Sequence, residues 1–331
     1  MESAANDTQQ TPKHTRVLII GGGPAGYTAA IYAARALLEP VVMAGVQPGG
    51  QLTITTDVEN YPGFAETIQG PWLMEQMLAQ ARHAGARVVS DLVTSVDFSQ
   101  RPFSIELSSG ERWTCDTVIA ATGAQARWLG LPSEETFRGF GVSACATCDG
   151  FFYRNKPVLV VGGGNTAGEE ALYLSHIAKS VTLIHRGNRF RAEQVLQAKL
   201  RARPNVEIIW DTVIEEVTGK SGFPPSATGA NLLNRVTGER SSIAADGIFI
   251  AIGHSPAVEL FAGQLRMGDN GYIWTDAKST RTNVPGVFAA GDVTDDVFRQ
   301  AVTAAGQGCM AALEAERYLF DLQDTPLLET A

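Results

Sequence analysis

The residues best suited to chemistry are Cys145 and Cys148, in the run Cys145-Ala146-Thr147-Cys148-Asp149-Gly150. Two cysteines three apart close a small disulfide ring and reopen it. The thiolate is the reactive form, and C-x-x-C surroundings lower a cysteine's pKa towards neutrality. Such a pair beside β-α-β patterning reads as a redox dithiol. A pair of zinc ligands and a buried structural pair are the alternatives. A structural zinc takes four ligands, and Cys115 and Cys309 stand alone with no partner at ligand spacing. No metal site is expected. Asp149 is the candidate acid or base that moves a proton as thiol and thiolate interchange, a role that needs burial to raise its pKa. A turn or cap role is its alternative.

Two glycine loops flank this dithiol in the sequence. The apolar strand Val17-Leu18-Ile19-Ile20 runs into Gly21-Gly22-Gly23-Pro24-Ala25-Gly26 and then an alanine-rich helix. Gly21 permits the tight turn, Gly23 lets a pyrophosphate approach the backbone, and Gly26 lets helix and strand pack closely. The helix N-terminus then offers free N–H groups to phosphates. The strand after it, Val41-Val42-Met43, leads into Ala44-Gly45 rather than a ribose-binding acid, which disfavours NAD here and leaves FAD open. The second loop follows Pro157–Val161 and reads Gly162-Gly163-Gly164-Asn165-Thr166-Ala167. Its next strand, Val181–Ile184, ends in His185-Arg186, with Arg189 and Arg191 close behind. Arginines at that strand end accommodate a 2′-phosphate, and guanidinium forks suit phosphate geometry. NADPH is therefore the expected nucleotide, with a solvated basic strand end as the alternative.

These loops need strands and helices to hold them, and the chain has room for both. At 331 residues two domains are expected, and 44% hydrophobic residues suffice for real cores. The net charge of -9 argues against nucleic-acid and anionic-membrane surfaces, which it would repel. Residues 1–14 are polar, lack the apolar core of a secretory signal, and read as a loose arm. No apolar run approaches the roughly 20 residues of a bilayer span, and four cysteines do not make a secreted framework. A cytoplasmic, reducing compartment is expected. Residues 71–84 have helical spacing, and 86–121 and 206–252 read as short strands and hairpins, with a flexible insertion around Gly219–Gly229. Asp116–Gly123 and Asp246–Gly253 echo one another as acid, apolar strand and glycine, so the two units should be alike. A strand ending at Ala289-Ala290-Gly291 delivers Asp292, able to accept hydrogen bonds from a sugar or ribityl chain or to cap a helix. Arg299-Gln300-Ala301 opens a helix expected to run to about Phe320, with an irregular, mobile tail from Gln323.

Taken together, G-G-G-P-A-G, G-G-Q-L, V-E-N-Y-P-G, C-A-T-C-D-G, G-G-G-N-T-A, H-R, G-H-S-P, A-A-G-D-V and R-Q-A occur in one order. From about residue 14 to 321 the chain closely resembles the low-molecular-weight thioredoxin reductases of bacterial type. The resemblance implies an α/β flavoprotein of two Rossmann-like nucleotide-binding domains, the second inserted into the first. Residues 1–125 and 253–331 would bind FAD, and 126–252 would bind NADPH and carry the dithiol. For FAD the matching positions are Gly21, Gly23, Pro24, Ala25, Gly26, Gln51, Leu52, Asn60, Ala121, Thr122, Gly123, Asp292, Arg299, Gln300 and Ala301. For NADPH they are Gly162, Gly164, Asn165, Thr166, Ala167, His185, Arg186 and Arg191. Where the family commonly has H-R-R, the second arginine is Gly187 here, with Arg189 as a nearby cation.

The resemblance further implies a homodimer whose substrate is oxidised thioredoxin. Electrons would pass from NADPH through FAD to the Cys145–Cys148 disulfide, with Cys148 facing the flavin and Cys145 attacking thioredoxin. The dithiol must meet the flavin and then a bulky protein. A swing of the inserted domain about Gly123-Ala124-Gln125 and Gly253-His254 is therefore expected. A dithiol oxidase on the same scaffold is the near rival, but it has no use for Arg186 and Arg191. The flavoprotein subunit of a peroxide-reducing system would carry a further N-terminal dithiol region. A non-enzymatic NADPH-binding redox sensor is the rival of a different class.

Overall fold

The computed structural model describes residues 12–45, 48–54 and 57–328, with backbone alone at residue 54 and over 323–328. The chain divides into two compact units. One comprises Met1–Ala124 with Pro256–Ala331, and the other is Gln125–Ser255. The inserted α/β arrangement read from the sequence is the one the chain adopts.

In the first unit the sheet runs Arg87–Val89, Val41–Met43, Lys13–Ile20, Arg112–Ala120, Phe103–Leu107, Val93–Asp97. Val287–Ala289 also pairs with Arg112–Ala120, in parallel. The central strand is apolar on both faces, as a parallel strand covered on both sides must be. Val17 and Ile19 pack against the Pro24–Arg35, Gly70–His83 and Ala301–Leu328 helices. Leu18 and Ile20 face the opposite core around Phe103, Trp113 and Phe261. The Ala301–Leu328 helix comes so close to Pro24–Arg35 that a Cβ on Gly308 would lie 2.1 Å from the Ala25 carbonyl oxygen.

The second unit repeats the plan. Its parallel sheet runs Val142–Ser143, Gly247–Ile250, Pro157–Val161, Ser180–Ile184, Val206–Ile209. Val158 and Val160 pack towards the helical face, with Ala171, Leu174 and Leu200. Leu159 and Val161 pack on a three-stranded antiparallel sheet, Thr212–Lys220, Ser226–Asn234 and Arg240–Ala244.

Three expectations change. The first strand begins at Lys13 rather than Val17, so the end of the polar arm belongs to the sheet, pairing Lys13 with Trp113 and His14 with Thr114. Residues 1–11 of that arm lie outside the described residues. The Gly219–Gly229 stretch is no flexible insertion, because Thr212–Lys220 and Ser226–Asn234 pair through most of it. The last helix continues to Leu328 past the expected end near Phe320. Among the described residues no helix is long and apolar enough to cross a membrane.

Gly308→Ala should force the two helices apart, since backbone rather than a flexible side chain blocks the added methyl. A loss of roughly 1–3 kcal/mol is expected, read as a lower urea midpoint for unfolding of the first unit.

Candidate active site

Cys145 and Cys148 are joined in a disulfide, with their Cα atoms 5.3 Å apart. The bond occupies both sulfurs and leaves a zinc role without ligands from this pair. Among the described residues no three His, Cys, Asp or Glu side chains gather as a metal site. The ring sits at the start of the short Ala146–Asp149 helix, where the Cys148 and Asp149 N–H groups donate to the Cys145 carbonyl, at 3.3 and 3.1 Å. Ser143, on the edge strand of the sheet, ties this turn down. Its hydroxyl accepts from the Cys145 N–H at 3.1 Å and donates to Asp149 Oδ2 at 2.5 Å. Ser143 had no motif to announce it. Its signal is its place two residues before the first cysteine, where a short hydroxyl reaches both ends of the ring. Gly150 closes the turn against Tyr173, Leu174 and Ile177, each of which would lie 3.1 Å from an added Cβ. Nearby, burial pushes the Tyr153 hydroxyl up to about 12, with the Asp149 and Asp246 charges adding to the shift.

The second glycine loop forms the floor of a cavity of about 430 Å³ at the carboxyl ends of the strands. Gly162, Gly164, Thr166, His185, Arg186 and Arg191 all line it. Gly164 has open space where a Cβ would project, which is where a phosphate can approach the backbone. Ala167 is buried under the loop, 2.6 Å from where a Gly162 Cβ would stand. Asn165 starts the helix but turns away to Glu193, accepting from its N–H at 2.9 Å. His185 does a different job from its arginine neighbours. Its ring fills the space that a Gly163 side chain would take, at 2.1 Å, and its Nε2 donates to the Arg189 carbonyl at 3.0 Å. Burial lowers its pKa, the backbone bonds to Arg189 and Gly162 oppose this, and the Arg191 and Arg186 charges add to it, so the neutral ring is favoured. Arg189 does not line the cavity, although Arg127 and Leu129 do.

In the first unit Gly21–Gly26, Ala121–Gly123 and Asp292 follow the ends of three neighbouring strands. Gly21 has φ +122°, and its missing Cβ would lie 2.1 Å from the Ala121 carbonyl oxygen. Gly26 makes the same kind of approach to the Gly21 carbonyl, at 1.9 Å. Gly23 has nothing within 4 Å of its Cβ direction, and it begins the Pro24–Arg35 helix without a side-chain cap. This cradle fits a diphosphate. Ala25 is instead packed between Gly291 and Gly308, so it sets the helix position. Thr122 Oγ donates to the Ala257 carbonyl at 2.6 Å, and the Ala257 N–H donates to the Gly123 carbonyl at 2.9 Å. Asn60 and Gln300, 240 residues apart, meet through Asn60 Nδ2 and Gln300 Oε1 at 3.4 Å. Gln51 and Leu52 lie on the short Gly50–Ile54 helix, with Leu52 packed on the core. Asp295 accepts from the Val297, Phe298 and Arg299 N–H groups, holding the turn that carries Arg299 at φ 49° into Ala301.

Residues 15–308 match the family model for pyridine nucleotide-disulphide oxidoreductases. The chain belongs to that family. It is 59% identical over 305 residues to a thioredoxin reductase of Rickettsia conorii, covering 92% of this chain and 98% of that one. It is also 54% identical, over 94% of its length and 98% of the relative's, to a Pseudomonas fluorescens protein named glucosaminate ammonia-lyase. Among solved structures, thioredoxin reductase from Giardia duodenalis matches with a TM-score of 0.88 and 44% identity, over 93% of this chain and 99% of that one. As a family member the chain is an oxidoreductase of the flavin and pyridine-nucleotide type, within the group of thioredoxin reductases.

Asp292 gives the first cradle a titration. Burial pushes its carboxyl up to about 6 from 3.8, the Asp295 charge adds to this, and Arg299 opposes it. The folded chain thus keeps a proton that the unfolded chain has lost, and stability falls as pH rises between about 4 and 6. The fall amounts to roughly 3 kcal/mol at most. Asp292→Asn should flatten it, as measured by urea unfolding of flavin-free protein across that range.

Proposed function

We propose that this chain is an NADPH-dependent thioredoxin reductase. The observation that carries the reading is the Cys145–Cys148 disulfide, held by Ser143 and Asp149 in the same unit as a glycine-floored cavity edged by Arg186 and Arg191. The Gly21–Gly26 cradle, Asn60, Gln300 and Asp292 are assigned to FAD, with Ala121–Gly123 and Ala301 framing it. Gly162–Ala167, Arg186 and Arg191 are assigned to NADPH, with His185 as the neutral support beneath the loop. A bound FAD supplies two-electron transfer between the nicotinamide and the disulfide.

The chain's own part begins when the disulfide takes up two electrons and two protons to become two thiols. On this reading Asp149, hydrogen-bonded through Ser143 to the Cys145 backbone, takes the proton that Cys145 gives up as it becomes a thiolate. The Cys145 thiolate then attacks the thioredoxin disulfide, forming a mixed disulfide and releasing one thioredoxin thiolate. Cys148 attacks that mixed disulfide, which reforms the internal bond and frees reduced thioredoxin. Cys145 and Cys148 are half-buried, and Phe151, three residues past Cys148, is 59% exposed. The swing of the inserted unit belongs to this reading, and the chain crosses between its units at 124–125 and 255–256. A homodimer is part of it too: Val302, Met310, Leu313 and Phe320 leave an apolar stripe exposed on the last helix. A cytoplasmic location suits a dithiol that must be reduced at every turnover.

Cys145→Ser in the FAD-loaded protein should lower thioredoxin-dependent NADPH oxidation by roughly a thousandfold or more and leave bleaching of the flavin by NADPH intact. Oxygen uptake with small dithiols, or ammonia release from glucosaminate, in wild-type protein inactive towards thioredoxin would overturn the reading.

A further inference from the structure

The cavity of the second unit has a wall that no motif explains. Its glycine floor comes from the loop after Pro157–Val161, and its Arg186 corner comes from the end of Ser180–Ile184. Arg127 stands elsewhere. Its N–H donates to the Gly253 carbonyl at 2.9 Å, just past the end of Gly247–Ile250. In the sheet, Gly247–Ile250 lies on one side of Pro157–Val161 and Ser180–Ile184 lies on the other. A dinucleotide crosses such a crevice with its pyrophosphate at the glycine turn and its adenosine ribose at the second strand end. The remaining half then extends towards Gly247–Ile250. Arg127 is the lining cation on that side, and among the described residues its guanidinium has no hydrogen bond or ion pair.

The backbone next to Arg127 is held by a buried acid. Glu134 is fully buried, with Oε1 accepting from the Leu129 N–H and Oε2 from the Gly130 N–H, both at 2.9 Å. Arg138 Nη2 lies 3.7 Å from the same carboxylate, and the Arg138 guanidinium lies 4.1 Å from the centre of the Trp128 ring. Residues 128–130 are therefore fixed without using Arg127 itself, which stays exposed at the cavity wall. An arm anchored at its base loses less freedom on binding.

Resting on the reading that this cavity takes NADPH, we propose that Arg127 binds the nicotinamide-side phosphate of the dinucleotide, with Glu134 as its positioning residue. Arg186 and Arg191 would read the adenosine side, so the two ends of the ligand are held by separate arginines from separate loops.

Calorimetric titration of the FAD-loaded protein with NADP⁺ and with adenosine 2′,5′-bisphosphate separates the two ends, because the bisphosphate lacks the nicotinamide-side phosphate. Arg127→Gln should raise the Kd for NADP⁺ about tenfold, equivalent to about 1.4 kcal/mol, and leave that for the bisphosphate unchanged. Arg186→Gln should weaken both ligands. Glu134→Gln, which turns a donor towards an N–H, should weaken NADP⁺ in the same selective way. An Arg127→Gln protein that binds NADP⁺ normally, or that loses both ligands alike, would overturn the assignment. Wild-type protein that binds neither ligand would overturn the NADPH reading itself, and this subsite with it.

Discussion

One backbone contact, made twice, fixes both glycine loops. Gly21 would place a Cβ 2.1 Å from the Ala121 carbonyl oxygen, and Gly162 would place one 2.3 Å from the Ala251 carbonyl oxygen. Each carbonyl follows the strand that pairs in parallel with the one feeding its loop. The glycine is therefore not present for looseness. It lets one strand's turn lie against the end of the next, and the helix can start only because that turn is so tight. Any side chain at either position would separate the two strand ends and tilt the helix that follows the loop.

That contact also explains why the two similar strands seen in the sequence recur. Asp116–Gly123 and Asp246–Gly253 each supply the carbonyl on which a glycine loop rests, and each then leads towards a crossing between the units. The strand that seats the loop is thus joined directly to the segment entering or leaving the insertion. Thr122 and Gly123 bond Ala257 on the first unit's side of the two crossings, and Arg127 bonds Gly253 on the second unit's side. Nucleotide loops and crossings are built from the same few residues in each unit.

The parts legible in the sequence were those whose physics is local. A glycine loop needs its strand and helix beside it, and the dithiol needs its two sulfurs three residues apart, so both show in a short window. The apolar strands were legible too, since burial on both faces leaves no polar alternation. The strands of the Thr212–Asn234 hairpin are legible, but the glycines and prolines of 219–229 suggest a flexible insertion that the structure does not have. Gly219 in fact lies against the Phe137 ring, and Gly229 would place a Cβ 2.2 Å from the Ile243 carbonyl oxygen, so both serve close packing within strands. Arg127 and Glu134 are not legible in the sequence for the opposite reason. Their meaning depends on Gly253, on the cavity and on two backbone N–H groups, and no spacing rule connects an arginine to a carbonyl 126 residues later.

The two cradles share a turn but differ in surroundings, and the difference bears on how each would hold its ligand. In the first unit the loop is backed by buried alanines of two helices, with a carboxyl, Asp292, desolvated enough to shift its titration. Contacts made in such a setting are little screened by salt, which suits a group that stays bound through many turnovers. In the second unit the charges at the cavity are arginines whose side chains reach solvent: Arg127, Arg186 and Arg191. Attraction between exposed charges is modest and salt-dependent. The His185 ring beneath them is neutral and adds shape rather than charge. On the proposed reading this asymmetry is what the chemistry requires. The flavin must remain while electrons pass, whereas the nicotinamide nucleotide must arrive reduced and leave oxidised once per cycle, so a site of exposed cations over an open glycine floor serves it better than a buried one.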